Sequence, residues 1–254
     1  MRKADIDAAK PRDITLNYQQ RTTPLSPIDL AKLPLFKNIS TEMLQRGTYA
    51  AYLKLIDNYH PNTAITENWT EEQYRAIDEF MDEVMQTKVF TIMWQFLISK
   101  GLASEDPEQF KADLKRMWFA FYSRAPGKSS SSGFEHVFCG ELRNKRKIVD
   151  GLHYWVRYYM LEHEGQVNYL GYLQIGKEIA STIHYNWRKC RKDVGSFLIG
   201  TSPEFDFALF TMCYVAKPGN TACKFEIDRQ KMAVTSYKLN DTPHIGTSYP
   251  VILK

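Results

Sequence analysis

The sequence lacks any uninterrupted apolar run approaching the roughly 18 residues of a membrane helix, so no membrane span is expected. It has no internal repeat at solenoid periods. Its four cysteines, Cys139, Cys190, Cys213 and Cys223, form no Cys-x-x-Cys pair, which argues against structural zinc and against a dense disulfide framework. Reduced, mostly buried thiols are the expectation, although an even count permits pairing. The start, Met1 to Asp13, is charged and polar with no apolar leader-like core. The compartment stays open: cytoplasmic for the sequence as it stands, secreted if further residues precede Met1. Charge of one sign is also scarce. A net +4 is compatible with a nucleic-acid ligand without arguing for one.

What is present is a globular composition. The chain has 254 residues, 44 % hydrophobic and 13 % aromatic, ample for a substantial core and not for disorder. The first half reads helical. Ser40 to Tyr59 opens with a capping signature and carries apolar residues at helical spacing, and Thr70 caps a second run with Glu71 and Glu72 in its first turn. Lys88 to Lys100 and a segment opened by Asp106-Pro107 are a third and a fourth. After Arg124 comes a Ser/Gly stretch, Ala125 to Gly133, expected to be flexible. Strand-like runs follow at 134–142, 166–175, 194–200, 223–228, 232–239 and 247–253. Helices over Leu152–Glu164 and from Ser202-Pro203 to about Val215 interrupt them. The expected fold is α+β: a helical N-terminal lobe, 1–125, packed on a catalytic lobe of antiparallel β-sheets with two or more helices, 126–254.

Six histidines are the most reactive groups available. His136 lies in a strand-like run beside the serine stretch, and His153 follows Gly151 at a helix start. The intervening Arg143-Asn-Lys-Arg-Lys147 reads as a basic hairpin tip, more often a solvated turn than an RNA contact. Two imidazoles and a cation are the minimum set for RNA transphosphorylation. One ring removes the 2′-hydroxyl proton, the other protonates the departing 5′-oxygen, and each transfer is worth roughly 10²–10⁴ in rate. The residues alone leave this open, because a single histidine or a basic turn is more often structural.

The order of several motifs carries more. Asp57-Asn-Tyr59 with Pro61, Trp118-Phe-Ala-Phe-Tyr-Ser-Arg124, Ser132-Gly-Phe-Glu-His-Val-Phe138, Gly140-Glu141, Gly151-Leu-His153, Lys192-Asp-Val-Gly-Ser196 and Gly200-Thr-Ser-Pro-Glu-Phe205 occur in sequence along the chain. With them the chain resembles, over nearly its whole length, the EndoU endoribonucleases, eukaryotic relatives of the nidoviral uridylate-specific enzyme. The resemblance implies a triad of His136, His153 and Lys192, with His153 as base, His136 as acid and Lys192 stabilising charge. It implies cleavage of single-stranded or U-rich RNA to 2′,3′-cyclic phosphate and 5′-hydroxyl ends. Ser196 would bind the uracil edge, Tyr249 would pack on the nucleoside, and Thr247 would assist. Glu135 and Glu141 would support the site or a cation. At period two they face away from His136, so a bend or bulge is required. The resemblance further implies activation by Mn²⁺ or Ca²⁺ at an unknown position, with Glu67, Glu71 and Glu72 as a weak acidic candidate. A monomer is expected. Two alternatives remain: an RNA-binding or regulatory protein with little catalysis, and a metal-dependent hydrolase built on His136, Glu141 and His153.

Overall fold

The computed structural model describes residues 1–124, 129–217, 222–240 and 242–254. The helical half is built as its caps dictate. Helix α3, Glu71–Met85, begins in a complete capping box: the Thr70 hydroxyl accepts from the Gln73 backbone N–H while the Gln73 side chain accepts from that of Thr70. Thr87 caps α4, Lys88–Ser99, and Asp106 with Pro107 starts α5, Pro107–Trp118. The run from Ser40 is not one helix. It divides into α1, Thr41–Leu44, and α2, Gly47–Ile56, at a break where Gly47 takes a positive φ of 49°. The Ser40 side chain caps nothing.

The first strands are short. β1, Ile14–Leu16, pairs antiparallel with β2, Phe36–Ile39. The segment between them runs along the second half of the molecule, where Thr22 N–H donates to Tyr172 and Leu30 N–H to Leu170. That half holds β3 (Glu141–Arg143), β4 (Ile148–Asp150), α6 (Trp155–His163), β5 (Val167–Gly176), β6 (Ala180–Trp187), β7 (Cys190–Leu198), α7 (Pro203–Ala216), β8 (Cys223–Ile227), β9 (Gln230–Lys238) and β10 (Ile245–Ile252). β8 to β10 form an antiparallel sheet in the order β10-β9-β8. The larger sheet runs β3-β4-β7-β6-β5 and is mixed, because β4 and β7 are parallel. Strand β6 carried no clear signal in the sequence.

The run at 134–142 departs most from expectation. Alternating apolar residues read as strand, yet Glu135–Cys139 is a single π-helical turn. Ser132 starts it, its carbonyl accepting from His136 N–H and its hydroxyl from Glu135 N–H. Gly140 closes it with an N–H to the Glu135 carbonyl and a φ of 79°. Packing selects the turn. Phe134 and Phe138 are wholly buried 4.9 Å apart, and Phe134 also lies 4.8 Å from Phe119 and 5.4 Å from Phe80 of α3. Each buried ring contributes about 2–3 kcal/mol. The helical half therefore clamps the segment that carries His136, and the apolar core is continuous between the two halves.

The serine stretch is likewise not a loose flap where it is described. Ser130, Ser131 and Ser132 are buried, Ser131 bridges to Tyr122, and the Ser130 hydroxyl donates to the Thr63 carbonyl at 2.7 Å. Residues 125–128 of that stretch lie outside the described residues. The cysteine expectation is half corrected. Cys213 of α7 and Cys223 of β8 form a disulfide, with their Cα atoms 5.5 Å apart where the helix meets the start of the strand. Cys139 and Cys190 are free and buried.

Candidate active site

His136 and His153 meet through their backbones before their rings do. The Leu152 N–H donates to the His136 carbonyl at 2.9 Å, and the His153 N–H to the Val137 carbonyl at 2.7 Å. This close crossing needs Gly151: a Cβ there would lie 1.7 Å from the His136 carbonyl oxygen, and its φ is +62°. The two imidazole centroids end 6.3 Å apart with planes inclined by 51°. Both rings keep a sliver of exposure, 6 % for each residue.

Their second nitrogens have different partners. His136 Nδ1 lies 2.6 Å from Glu141 Oε2. The π-turn and the reversal at Gly140 bring the first residue of β3 back onto the His136 side, whereas one flat strand through both would send Glu141 to the opposite face. Arg124 reaches the same carboxylate, its Nε 3.1 Å from Glu141 Oε2, and also donates to the Ser131 hydroxyl, the Tyr122 hydroxyl and the Gly246 carbonyl. His153 Nδ1 instead faces the backbone carbonyl of Ser196 at 3.0 Å. A carbonyl only accepts, so Nδ1 of His153 carries the proton and Nε2 presents a lone pair. Burial first, then the Arg124 charge, holds His136 well below the ordinary imidazole pKa. Burial, then Lys192, does the same to His153. The Glu141 carboxyl is raised, mainly by burial, with Arg124 opposing.

Lys192 comes from β7, where a bulge opposite His184 shifts the register between Ile183 and Tyr185. Its Nζ donates to the Gly151 carbonyl at 2.6 Å, two residues before His153. Burial lowers its pKa to about 8, which leaves it mostly charged at neutral pH. Four residues on, Ser196 is 8 % exposed. Tyr249 of β10 stacks on His153 with centroids 5.2 Å apart. Thr247, two residues earlier on that strand, has a buried hydroxyl without a partner among the described residues.

Most of the residues singled out from sequence thus converge. Glu135 does not join them. It is fully buried, and its carboxyl is pushed well up by burial and then by the charges of Glu141 and Glu67. Glu67 spends its oxygens on the His60 N–H and the Trp69 indole, while Glu71 and Glu72 sit in the first turn of α3, where the helix dipole accounts for them. Among the described residues no three His, Cys, Asp or Glu side chains converge well enough to hold a metal ion. His136, Glu141 and His153 form no such group, so the three-ligand geometry of the hydrolase reading is absent among them. Sequence reasoning missed Arg124 and Gly151. Both stood in quoted motifs, but nothing local says that an arginine after α5 reaches a carboxylate beyond the π-turn.

The sequence pattern described as Endoribonuclease XendoU matches residues 1–250. The chain is 36% identical over 98% of its length to a uridylate-specific endoribonuclease of Bos taurus, and spans 62% of that protein. It is 38% identical to uridylate-specific endoribonuclease D of Xenopus laevis, over 98% of this chain and 85% of the relative. Among solved structures, that of XendoU, titled a splicing-independent snoRNA processing endoribonuclease, superposes with a TM-score of 0.85 at 31% identity, covering 99% of this chain and 94% of the other. With the two imidazoles, the lysine and the stacked tyrosine brought together and a match over nearly the whole chain, the chain belongs to the XendoU endoribonuclease family.

Proposed function

We propose that the protein is an endoribonuclease that cuts single-stranded RNA at uridylates by attack of the 2′-hydroxyl on the adjacent phosphorus. One observation carries the reading: two imidazoles 6.3 Å apart, one backed by a carboxylate and the other by a carbonyl. The carbonyl fixes the His153 tautomer with Nε2 free, which suits a base taking the 2′-hydroxyl proton. The Glu141 carboxylate favours the imidazolium of His136, which suits an acid that protonates the leaving 5′-oxygen. As the proton leaves, the 2′-oxygen bonds to phosphorus; as the P–O5′ bond breaks, His136 supplies the second proton. The products are a 2′,3′-cyclic phosphate and a 5′-hydroxyl. The Lys192 ammonium, held by the Gly151 carbonyl, faces the charge that develops on the phosphorane. The incoming phosphodiester is itself an anion and raises both depressed histidine pKa values, so binding charges the acid.

Uridine preference fits Ser196 and Tyr249, which offer a polar contact and an aromatic face beside His153. The names of the relatives support the same preference. A divalent cation, Mn²⁺ or Ca²⁺, belongs to this reading as an activator, and the steps above run on protein groups alone. The protein acts as a monomer in this reading, because every group invoked comes from one chain. Incubating the chain with an oligonucleotide containing one uridine tests it. Cutting on the 3′ side of uridine with a cyclic-phosphate end is expected; 3′-hydroxyl ends, or cleavage indifferent to the base, would refute it.

A further inference from the structure

Two basic turns far apart in sequence sit side by side. The β3–β4 turn carries Lys145, Arg146 and Lys147, and the β6–β7 turn carries Arg188 and Lys189. The Arg191 N–H donates to the Lys147 carbonyl at 2.9 Å, and Ile148 pairs in parallel with Arg191, so the two tips are locked together. The acids nearby are spent: Asp193 lies 2.7 Å from Arg191, and Asp150 pairs with Arg143. Lys145, Arg146, Lys147 and Lys189 are exposed and make no side-chain ion pair among the described residues. A dense, unneutralised cation cluster is costly to bring together unless a polyanion answers it.

The strands leaving the tips lead into the active site. From Ile148, β4 runs to Gly151, whose carbonyl holds Lys192. From Cys190, β7 runs to Lys192 itself. At about 3.3 Å per residue the tips stand about 10 Å from the reacting groups. Exposed aliphatic side chains flank the route: Ile148, at the start of β4, is 42 % exposed, and Val194, two residues past Lys192 on β7, is 51 % exposed. A cationic end close to a scissile-phosphate site, with exposed aliphatic side chains beside them, matches a nucleic-acid strand, whose phosphates need cations and whose bases need apolar faces.

We infer that the paired β3–β4 and β6–β7 tips form an exosite for the phosphate backbone of the RNA strand flanking the cut uridylate. The inference rests on the nuclease reading. The site makes the enzyme favour long single strands and makes that preference salt-dependent, without touching the chemistry.

The test compares the parent chain with a variant carrying Lys145→Gln, Arg146→Gln, Lys147→Gln and Lys189→Gln. Substrates are a 20-nucleotide strand with one central uridine and a dinucleotide, UpA. On the long strand at low salt, kcat/KM should fall about ten- to hundredfold, and the slope of log kcat/KM against log salt should flatten by about 0.7 per lost phosphate contact. On UpA the variant should match the parent, which also certifies its fold. An unchanged slope and rate on the long strand, or an equal loss on both substrates, overturns the exosite. If the parent cuts neither substrate, the nuclease reading fails instead. Filter binding of the same strand with 2′-deoxyuridine, which cannot react, then still reads the slope: a flatter slope in the variant upholds the surface, and an equal slope removes it.

Discussion

The two histidines proposed as acid and base are equally exposed, yet the parts of the molecule that hold them differ in kind. His136 belongs to a helical turn clamped between lobes, and its support is made of side chains: Glu141, then Arg124, which reaches on to the Gly246 carbonyl of β10. His153 is held by backbone: the carbonyls of Val137 and Ser196 on either side, and Gly151, which no other residue can replace. Side-chain support tunes charge and can be removed by one substitution. Backbone support fixes a tautomer and survives most substitutions. The acid side should therefore be fragile where the base side is robust.

The largest effect removes the rings themselves. His136→Ala or His153→Ala should each lower kcat about 10²–10⁴-fold while circular dichroism and binding of a uncleavable oligonucleotide persist. If only one of the two matters, the pairing is wrong and the comparison collapses with it. The next effect separates the two sides. Glu141→Gln keeps a hydrogen-bond acceptor but removes the charge, and a hydrogen bond to an ion is worth about 1.5–3 kcal/mol, so kcat/KM should fall roughly ten- to hundredfold. Its alkaline limb should also move to lower pH, since the imidazolium of His136 loses its counter-charge. Ser196→Ala leaves the carbonyl under His153 intact and should erode the preference for uridine over cytidine with little loss of rate on uridine. Equal rate losses in the two variants would mean that the supposed asymmetry is absent.

A third effect is read in pH. Burial lowers both imidazoles, so the kcat/KM bell, with one ring neutral and the other charged, should peak on the acid side of the ordinary imidazole value of about 6.5. In the proposed mechanism Lys192 serves as a cation, with its pKa lowered to about 8, so its contribution should be present below that pH and lost above it. The alkaline limb should steepen from one proton to two near pH 8. Lys192→Arg, which stays charged throughout, should show only the single-proton limb even if its overall rate is reduced.

Helix caps were the legible part of this molecule. Thr70, Asp106 and Ser202 each fix an end through a bond two or three residues away, so sequence and structure agree there. The π-turn was not legible, because Phe-Glu-His-Val-Phe satisfies a strand pattern equally well and the aromatic partners that decide come from Phe80 and Phe119. The rings at 136 and 153 and the lysine at 192 were recoverable through ordered motifs. Arg124 was not, since its meaning lies in a contact with Glu141 across the fold. In the sequence Gly151 stands only as the residue before a helix start, and the crossing of two backbones shows why a side chain is forbidden there.

The smallest effect on catalysis should come from the disulfide, which touches neither histidine. It ties α7 to β8, at the far edge of the sheet whose other edge, β10, bears Tyr249. Cys213 and Cys223 are 10 residues apart, and closing a loop of that size stabilises the fold by about 2–3 kcal/mol on the chain-entropy account. Cys213→Ala with Cys223→Ala should lower the midpoint of thermal unfolding by several degrees. Below that transition kcat/KM on a short substrate should remain that of the parent, because β10 is paired along its length with β9 and the His153–Tyr249 stack needs only that pairing. A loss of rate without a loss of stability would reverse the argument: the bond would then set the position of Tyr249, and the base side would depend on a removable side-chain link just as the acid side does.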